Sequence, residues 1–392
     1  MNAPKFIKFL GLLILAGLVI SACAPAATLP AAEEAAAEEP AAEEPAVEEA
    51  APAAEEKTIV GLSFSDFATE RWPIEDELMT KLLEEKGYEV ISQEAAHDVK
   101  LQNDQIDNMV TQGAKVIIVI AEDGDAAATA VASAAAAGVQ VIAYDRLIKD
   151  TGIAAYISFN NVAVGYNQAD GVMKALDMDN WDTAANGPAR IIMQGGSPTD
   201  NNAVLVRQGQ MQIVQPYIDA GSAEIVQDQW VDNWDPAKAT ALMENMLAAV
   251  DNDVDGVVAS NDGTALGALT AMKAQGLAGK VPISGQDATA DGCNSIVKGE
   301  QTVTVFKDTR LLSPLAVEIA DQLIKGEDPG LEMYTLAELT LDDTLEGEVP
   351  CKFLPVVQVT KDNVYDVVVK SGFQEYDDVY RDIPEAEKPP KP

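Results

Sequence analysis

The sequence predicts an α/β fold of two doubly wound parallel-sheet lobes, and three observations carry that prediction. Apolar strand-like runs alternate with segments of helical periodicity from Thr58 onward, the alternation occurs as two similar sets, and several runs are apolar throughout, as strands buried on both faces are. In the first set, Thr58–Phe64 reads as a strand. Ile74, Leu78, Leu82 and Leu83 follow at helical spacing, ended by Gly87. Tyr88–Ser92 is the next strand, and Leu101, Ile106, Met109 and Val110 mark a helix ended by Gly113. Lys115–Ile120 is an unbroken apolar strand, and an alanine-rich helix over Asp125–Ala137 leads through Gly138 to the strand Val139–Tyr144. The second set begins near Val164, with strands at Arg190–Met193, Glu224–Gln227, Asp255–Ala259 and Val281–Ser284 and helices over 204–220, 236–250 and 264–276. A helix over 311–325, a strand-like run at Lys352–Val359 and a short helix near Lys361–Lys370 complete the pattern. The tail 379–392 is rich in proline and charge and is expected to be disordered. Two sets of this size imply two lobes, and the space between domains is a common place for a ligand.

The first 57 residues stand apart. Lys5 and Lys8 form a basic n-region, Phe9 to Ile20 is an apolar stretch too short to span a bilayer, and Ile20-Ser-Ala-Cys23 is a small-residue cleavage site ending in cysteine. Residues 1–22 resemble a bacterial lipoprotein signal peptide, with Cys23 as the lipidated new N-terminus; the alternative is an ordinary secretory signal with an incidental cysteine. From residue 23 to 57 the chain is almost entirely Ala, Glu and Pro, with acidic pairs such as Glu33-Glu34 and Glu38-Glu39, and Pro40, Pro45 and Pro52 interrupting any helix. Such a stretch is a self-repelling tether that holds a domain off a membrane.

The net charge of −38 gives a surface that repels nucleic acid and anionic lipid headgroups. With Cys23 assigned to lipid, Cys293 and Cys351 remain; they could form a disulfide or be two separate buried thiols. His97 is the single histidine, which leaves no Cys/His metal cluster and weakens any histidine-dependent catalysis. No G-x-S-x-G, P-loop or H-E-x-x-H motif occurs, so no cofactor and no metal are expected. Asp251-Asn-Asp-Val-Asp-Gly256 copies half of a calcium loop, but Val257–Ser260 continues as a strand and position twelve is Asp262 rather than Glu, so a polar helix-to-strand turn explains it better.

The chemistry concentrates at strand ends. Four apolar runs break abruptly into short polar side chains: Ala143-Tyr-Asp-Arg146, Met193 to Asn202, Val258-Ala-Ser-Asn-Asp262 and Ile283-Ser-Gly-Gln-Asp287. Ligands of α/β sheets bind beyond the carboxyl ends of strands, and Asp, Asn, Gln and Arg hydrogen-bond hydroxyls in both directions. Asp145, Asp200, Asp262 and Asp287 could be imagined as a glycosidase pair, although nothing in the sequence marks an acid with a raised pKa. Trp72 and Trp234 also follow strand ends in polar surroundings, which favours lining a site over core packing.

These segments, with Glu70-Arg-Trp72, Tyr156-Ile-Ser-Phe159, Gly195-Gly-Ser-Pro-Thr-Asp-Asn-Asn202, Gln229-Trp-Val-Asp-Asn-Trp234 and Thr302-Val-Thr-Val-Phe-Lys307, occur in the same order as in the D-xylose-binding proteins of bacterial ABC importers. Over about residues 58–375 the chain resembles that family, within the ribose/galactose-type (type I) periplasmic binding proteins. The resemblance implies two lobes joined by a three-strand hinge, with crossings near 160–164, 307–309 and about 330–336. Residues 58–163 plus 308–332 would form one lobe and 164–307 plus 333–378 the other. It implies a monosaccharide site closed by Arg71, Trp72, Asp145 and Arg146 from the first lobe and lined by Asn202, Trp234, Asn261, Asp287 and Lys307 from the second, with Asp200 and Asn201 ranked below Asn202. It also implies a monomeric, membrane-anchored extracytoplasmic receptor that is not an enzyme and delivers D-xylose to a permease and its ATPase. The alternative is a broader aldose receptor for uptake or chemosensing. The chain departs from the pattern in extra residues near Asp177–Gly187 and in Cys293 and Cys351.

Overall fold

The structure, a computed structural model, describes residues 57–392. The signal segment, Cys23 and all of the acidic linker but Lys57 lie outside the described residues. The chain runs β1 (Ile59–Phe64), α1 (Arg71–Glu85), β2 (Glu89–Glu94), α2 (Val99–Thr111), β3 (Val116–Val119), α3 (Ala127–Ala136), β4 (Gln140–Tyr144) and β5 (Ala155–Phe159). It continues through α4 (Asn161–Ala175), α5 (Thr183–Asn186), β6 (Ala189–Gly195), α6 (Asn201–Asp219), β7 (Ala223–Trp230), α7 (Pro236–Ala249), β8 (Gly256–Ala259), α8 (Asp262–Ala274), α9 (Ala290–Lys298) and β9 (Val303–Phe306). It closes with α10 (Thr309–Lys325), β10 (Glu332–Thr335), α11 (Leu336–Thr340), β11 (Glu348–Leu354), β12 (Val357–Thr360) and α12 (Tyr376–Val379). Among the described residues, no helix is long and apolar enough to cross a membrane.

The first lobe is one sheet in the order β10-β11-β5-β4-β3-β1-β2, parallel except for β10 against β11. Its two faces are covered by different helices, because both faces of its central strands are apolar. Ile106 and Met109 of α2 and Val131 and Ala134 of α3 pack on Ile117, Val119 and Val141. Met79 and Leu83 of α1 and Leu312 and Val317 of α10 pack on Leu62, Ile118 and Ile142. In the second lobe β7, β6 and β8 are paired, and single bridges through Ile283 and Ser284 link β8 to β9, which pairs with β12. Met243 and Leu247 of α7 and Leu269 of α8 cover one face; Val172 of α4 and Val214 of α6 cover the other.

Three segments cross between the lobes: β5 to α4, β9 to α10, and β11 to β12. The third corrects the sequence expectation of a crossing at 330–336. β11 pairs in parallel with β5, Cys351 opposite Tyr156 through Leu354 opposite Phe159, which keeps both β10 and β11 in the first-lobe sheet. The strand-like run 352–359 is therefore two strands in two sheets, broken at Pro355, and residues 333–354 belong with the first lobe. A hydrogen bond from the Asn160 amide to the Leu354 carbonyl (3.1 Å) ties two of the crossings together.

Two further expectations are corrected. Cys293 and Cys351 are free thiols, each buried in its own lobe: Cys293 packs with Val297, Phe306 and Val368, and Cys351 with Tyr156, Leu336 and Val349. The tail 379–392 is ordered rather than disordered. Val379 and Tyr380 are buried, and the Tyr365 and Tyr376 hydroxyls donate to the Pro390 and Pro389 carbonyls at 2.6 and 2.5 Å. Aromatic donors on the second lobe give the proline-rich end something to bond, which composition does not reveal. The Asp251–Gly256 segment is a turn, with Asp251 and Asn252 at φ +53° and +61°.

Helices α4 and α6 approach backbone to backbone. A Cβ on Gly165 would lie 1.8 Å from the Val206 carbonyl oxygen, and one on Gly209 would lie 2.0 Å from that of Val162. Neither contact can be relieved by a rotamer change, so Gly165→Ala should push the helices apart and cost about 1–3 kcal/mol. A lowered urea midpoint at unchanged slope checks this.

Candidate ligand-binding site

The carboxyl ends of both sheets face one cleft, and the side chains that close it come from helix starts and strand ends. Arg71 and Trp72 open α1, Asp145 and Arg146 follow β4, and Asn202 sits in the first turn of α6. Trp234 lies in the turn after β7, Asn261 caps α8, Asp287 follows the bridging residues 283–284, and Lys307 follows β9. All nine line a single cavity of about 30 Å³, with Thr69, Asp200 and Gln286. It continues outward into a hollow of about 450 Å³ that shares Thr69, Arg71, Trp234, Asn261 and Asp287.

Charges of opposite sign alternate through this space. The Asp145 carboxylate accepts from Arg71 Nη1 at 3.0 Å and lies 3.6 Å from Lys307 Nζ. Lys307 is 3.3 Å from Asp287, and Arg71 is 3.7 Å from the same carboxylate. Arg146 Nε stands 3.1 Å from Asp200, joining the lobes a second time. Burial pushes the Asp145 carboxyl up, but Arg71, Lys307 and Arg146 together outweigh it and hold it down at about 2. Burial raises Asp200 despite Arg146 beside it. Burial lowers the Arg71 pKa, yet Asp145 and Glu75 more than reverse this and hold it protonated.

Each cleft side chain is fixed from behind. Glu75 takes Arg71 through both oxygens, and Tyr144 donates to Glu75. The Arg71 guanidinium lies 4.4 Å from the centre of the Trp72 ring. Arg146 donates to the Ala121 carbonyl at 3.1 Å. Asn202 donates to the Asp145 carbonyl and carboxylate at 3.0 and 3.1 Å and accepts from Asn161 at 2.8 Å. Trp234 donates to Asp200 at 3.1 Å. Its ring occupies the place where a Cβ of Gly196 would be, 2.0 Å from the nearest ring carbon, which explains one of the two glycines after β6. Asn261 spends its oxygen on the α8 cap, accepting from the Thr264 amide at 2.9 Å, and leaves its amide nitrogen as the polar group to offer.

Three buried polar atoms of the cavity's side chains make no hydrogen bond: Trp72 Nε1 and Gln286 Oε1, which have no partner, and Asp287 Oδ1, which faces the Lys307 ammonium at 3.3 Å as an ion pair. One is a donor and two are acceptors. Such atoms are costly to bury unless a ligand completes them. Sequence reasoning missed Gln286, which lines the cavity beside Asp287. Gln286 sits in the quoted Ser-Gly-Gln-Asp segment, so its adjacency to Asp287 was the available signal. Asp262, also at a strand end, is fully buried and does not line the cavity.

Asp66, His97 and Glu122 are grouped beside the cleft, with one ligand-type atom from each within 4.8 Å of the others. His97 Nδ1 is 3.0 Å from Glu122 and Nε2 3.7 Å from Asp66. The two ring nitrogens thus face different carboxylates, Nδ1 at hydrogen-bond distance and Nε2 beyond it, rather than one nitrogen and two carboxylates converging on an ion.

The chain's residues 60–328 match the family model of the periplasmic binding protein domain. It is 42% identical over 324 residues to a D-xylose-binding periplasmic protein of Escherichia coli, covering 83% of this chain and 92% of that protein. It is 36% identical to a multiple sugar-binding periplasmic receptor of Rhizobium radiobacter, covering 83% and 94%. Among solved structures, it is similar to an ABC transporter solute-binding protein from Clostridium phytofermentans with bound β-D-glucose, with a TM-score of 0.73, 29% identity and coverage of 82% and 100%.

The depressed pKa of Asp145 has a stability consequence. Its folded value of about 2 lies below the ordinary 3.8, so its contribution is full above pH 4 and is lost as the pH falls through about 2. Asp145→Asn, which removes one carboxylate from each of two buried cations, should cost about 3 kcal/mol at neutral pH. The difference from the wild type should narrow between pH 4 and 2, as urea midpoints at pH 7, 4 and 2.5 would record.

Proposed function

The chain belongs to the periplasmic binding protein family, and on that premise we propose that it captures a monosaccharide, D-xylose first among candidates, in the cleft between its lobes. The observation that carries this reading is the mixed polarity of the cleft: donors on Arg71, Arg146 and Lys307 alternate with acceptors on Asp145, Asp200 and Asp287, beside the unpartnered atoms of Trp72 and Gln286. A sugar hydroxyl donates one hydrogen bond and accepts others, so a ring of hydroxyls suits this pattern, whereas an anion would meet the carboxylates and a cation the guanidinium groups. Trp72 and Trp234 supply flat faces for the C–H side of a ring. The relatives that bind xylose or several sugars support the same reading.

Arg71, Trp72, Asp145 and Arg146 act from the first lobe, and Asn202, Trp234, Asn261, Asp287 and Lys307 from the second or its hinge. A ligand touching both sets favours the closed arrangement of the lobes. The relatives are sugar-binding periplasmic proteins, and in this reading the chain binds without turnover. It works outside the cytoplasm, tethered through a lipid on Cys23 and the acidic linker, and hands sugar to a membrane permease driven by an ATPase. A broader aldose range is the second reading; the multiple sugar-binding relative favours it.

Calorimetry of the mature protein against a panel of aldoses tests the assignment. D-xylose at one hundred times its Kd should stabilise the fold by about 2.7 kcal/mol. Asp287→Ala and Asn202→Ala should abolish that shift while the proteins stay folded. A clear shift with another aldose and none with xylose defeats the xylose assignment, and release of product from aryl xylosides defeats the binding-only reading. For the tether, Cys23→Ser should move the protein from the detergent phase to the aqueous phase of a membrane extract.

A further inference from the structure

Asp287 is held in an improbable backbone conformation. Its φ is +89° and that of Ala288 is +48°, two adjacent non-glycine residues in the left-handed region. Strain of this kind persists only where the surroundings enforce it. The main chain supplies part of the restraint, with the Asp287 amide donating to the Val305 carbonyl at 2.8 Å. Thr304 and Gln374 bond the two polar groups of the Ala288 backbone, at 3.2 and 3.0 Å.

The remaining restraint comes from Asp262, which holds the loop on both sides of Asp287. Its own amide donates to the Gln286 carbonyl at 3.0 Å. Its carboxylate accepts from the Thr289 amide at 3.0 Å and the Thr289 hydroxyl at 3.4 Å, while the other oxygen accepts from Gln301 at 2.8 Å. It is the one acidic side chain, among the described residues, that hydrogen-bonds the backbone of residues 286–289. The site is shaped for a carboxylate: a Cβ on Gly285 would lie 2.1 Å from one oxygen and a Cβ on Gly292 2.3 Å from the other. Burial pushes its carboxyl up to about 7 against the Gln301 hydrogen bond, and the charge of Asp287 adds to the rise.

We propose that Asp262, which lies outside the cleft and touches no ligand, is the positioning residue that holds the Asp287 carboxylate where it accepts a sugar hydroxyl. The chain places Asn261 and Asp262 side by side so that one caps α8 into the cleft and the other grips the neighbouring loop from beneath. Asp262→Asn keeps the shape but turns an acceptor into a donor that faces the donor of Thr289 or Gln301. The loop then relaxes and Asp287 moves away from its hydroxyl.

The proposal rests on the sugar reading, and the test separates the two. Wild type, Asp287→Asn and Asp262→Asn are titrated by calorimetry with D-xylose and its monodeoxy analogues. Asp287→Asn identifies the analogue whose missing hydroxyl is the one Asp287 reads. Asp262→Asn should lose the preference for xylose over that same analogue by about tenfold, the equivalent of one charge-assisted hydrogen bond. Preserved preference, or equal weakening toward every analogue, overturns the proposal. Gly292→Ala, which displaces the carboxylate without changing its charge, should reproduce the loss and carries the test if Asp262→Asn does not fold. Hydrogen exchange without sugar gives a readout that needs no ligand: the Asp287, Ala288 and Thr289 amides should exchange faster in Asp262→Asn while the α8 amides do not. Unchanged exchange of the loop overturns the positioning role, and faster exchange in a protein whose wild type binds no aldose overturns the sugar reading alone.

Discussion

The carboxylate of Asp145 lies between the guanidinium of Arg71 and the ammonium of Lys307, and the rest of the cleft depends on that placement. Buried charge is tolerated only when paired, and here each cation faces more than one carboxylate. Arg71 is shared among Glu75, Asp145 and Asp287, Lys307 between Asp145 and Asp287, and Arg146 between Asp200 and Glu122. Because Asp145 and Arg146 belong to the first lobe and Asp200 and Asp287 to the second, the same ion pairs that neutralise the cleft also join the lobes.

The fold serves this arrangement by supplying strand ends. Parallel strands deliver their carboxyl ends to one edge, and the crossings at Phe159–Asn161, Phe306–Thr309 and Leu354–Val357 bring the edges of two sheets opposite each other. Lys307 sits within one crossing, and Asn161, at the start of another, donates to Asn202. Hinge and site are therefore made of neighbouring residues, so a change in one is felt by the other. Glycine matters where space rather than turn geometry is short: Gly196 leaves room for Trp234, and Gly165 and Gly209 let α4 meet α6.

Much of this was legible in the sequence because it depends on local pattern. Apolar runs and helical spacing located most elements of both lobes, and the abrupt change to Asp, Asn and Arg at four strand ends marked the residues that now share one cavity. What was not legible depends on distant partners. Nothing near 348–354 says that this strand pairs with β5, so the third crossing was misplaced. Nothing within 379–392 says that Tyr365 and Tyr376 bond its carbonyls, so order was missed. The distance between Cys293 and Cys351 is a tertiary fact, as is Gln286 facing the cavity while Asp262, equally polar and equally placed at a strand end, lies beneath it.

Small-angle X-ray scattering of the mature protein, with and without D-xylose, tests most directly whether ligand and lobe closure are one event. The radius of gyration should fall as xylose is added and level off at the stoichiometry found by calorimetry. Identical scattering curves for the free and the fully bound protein would contradict that coupling.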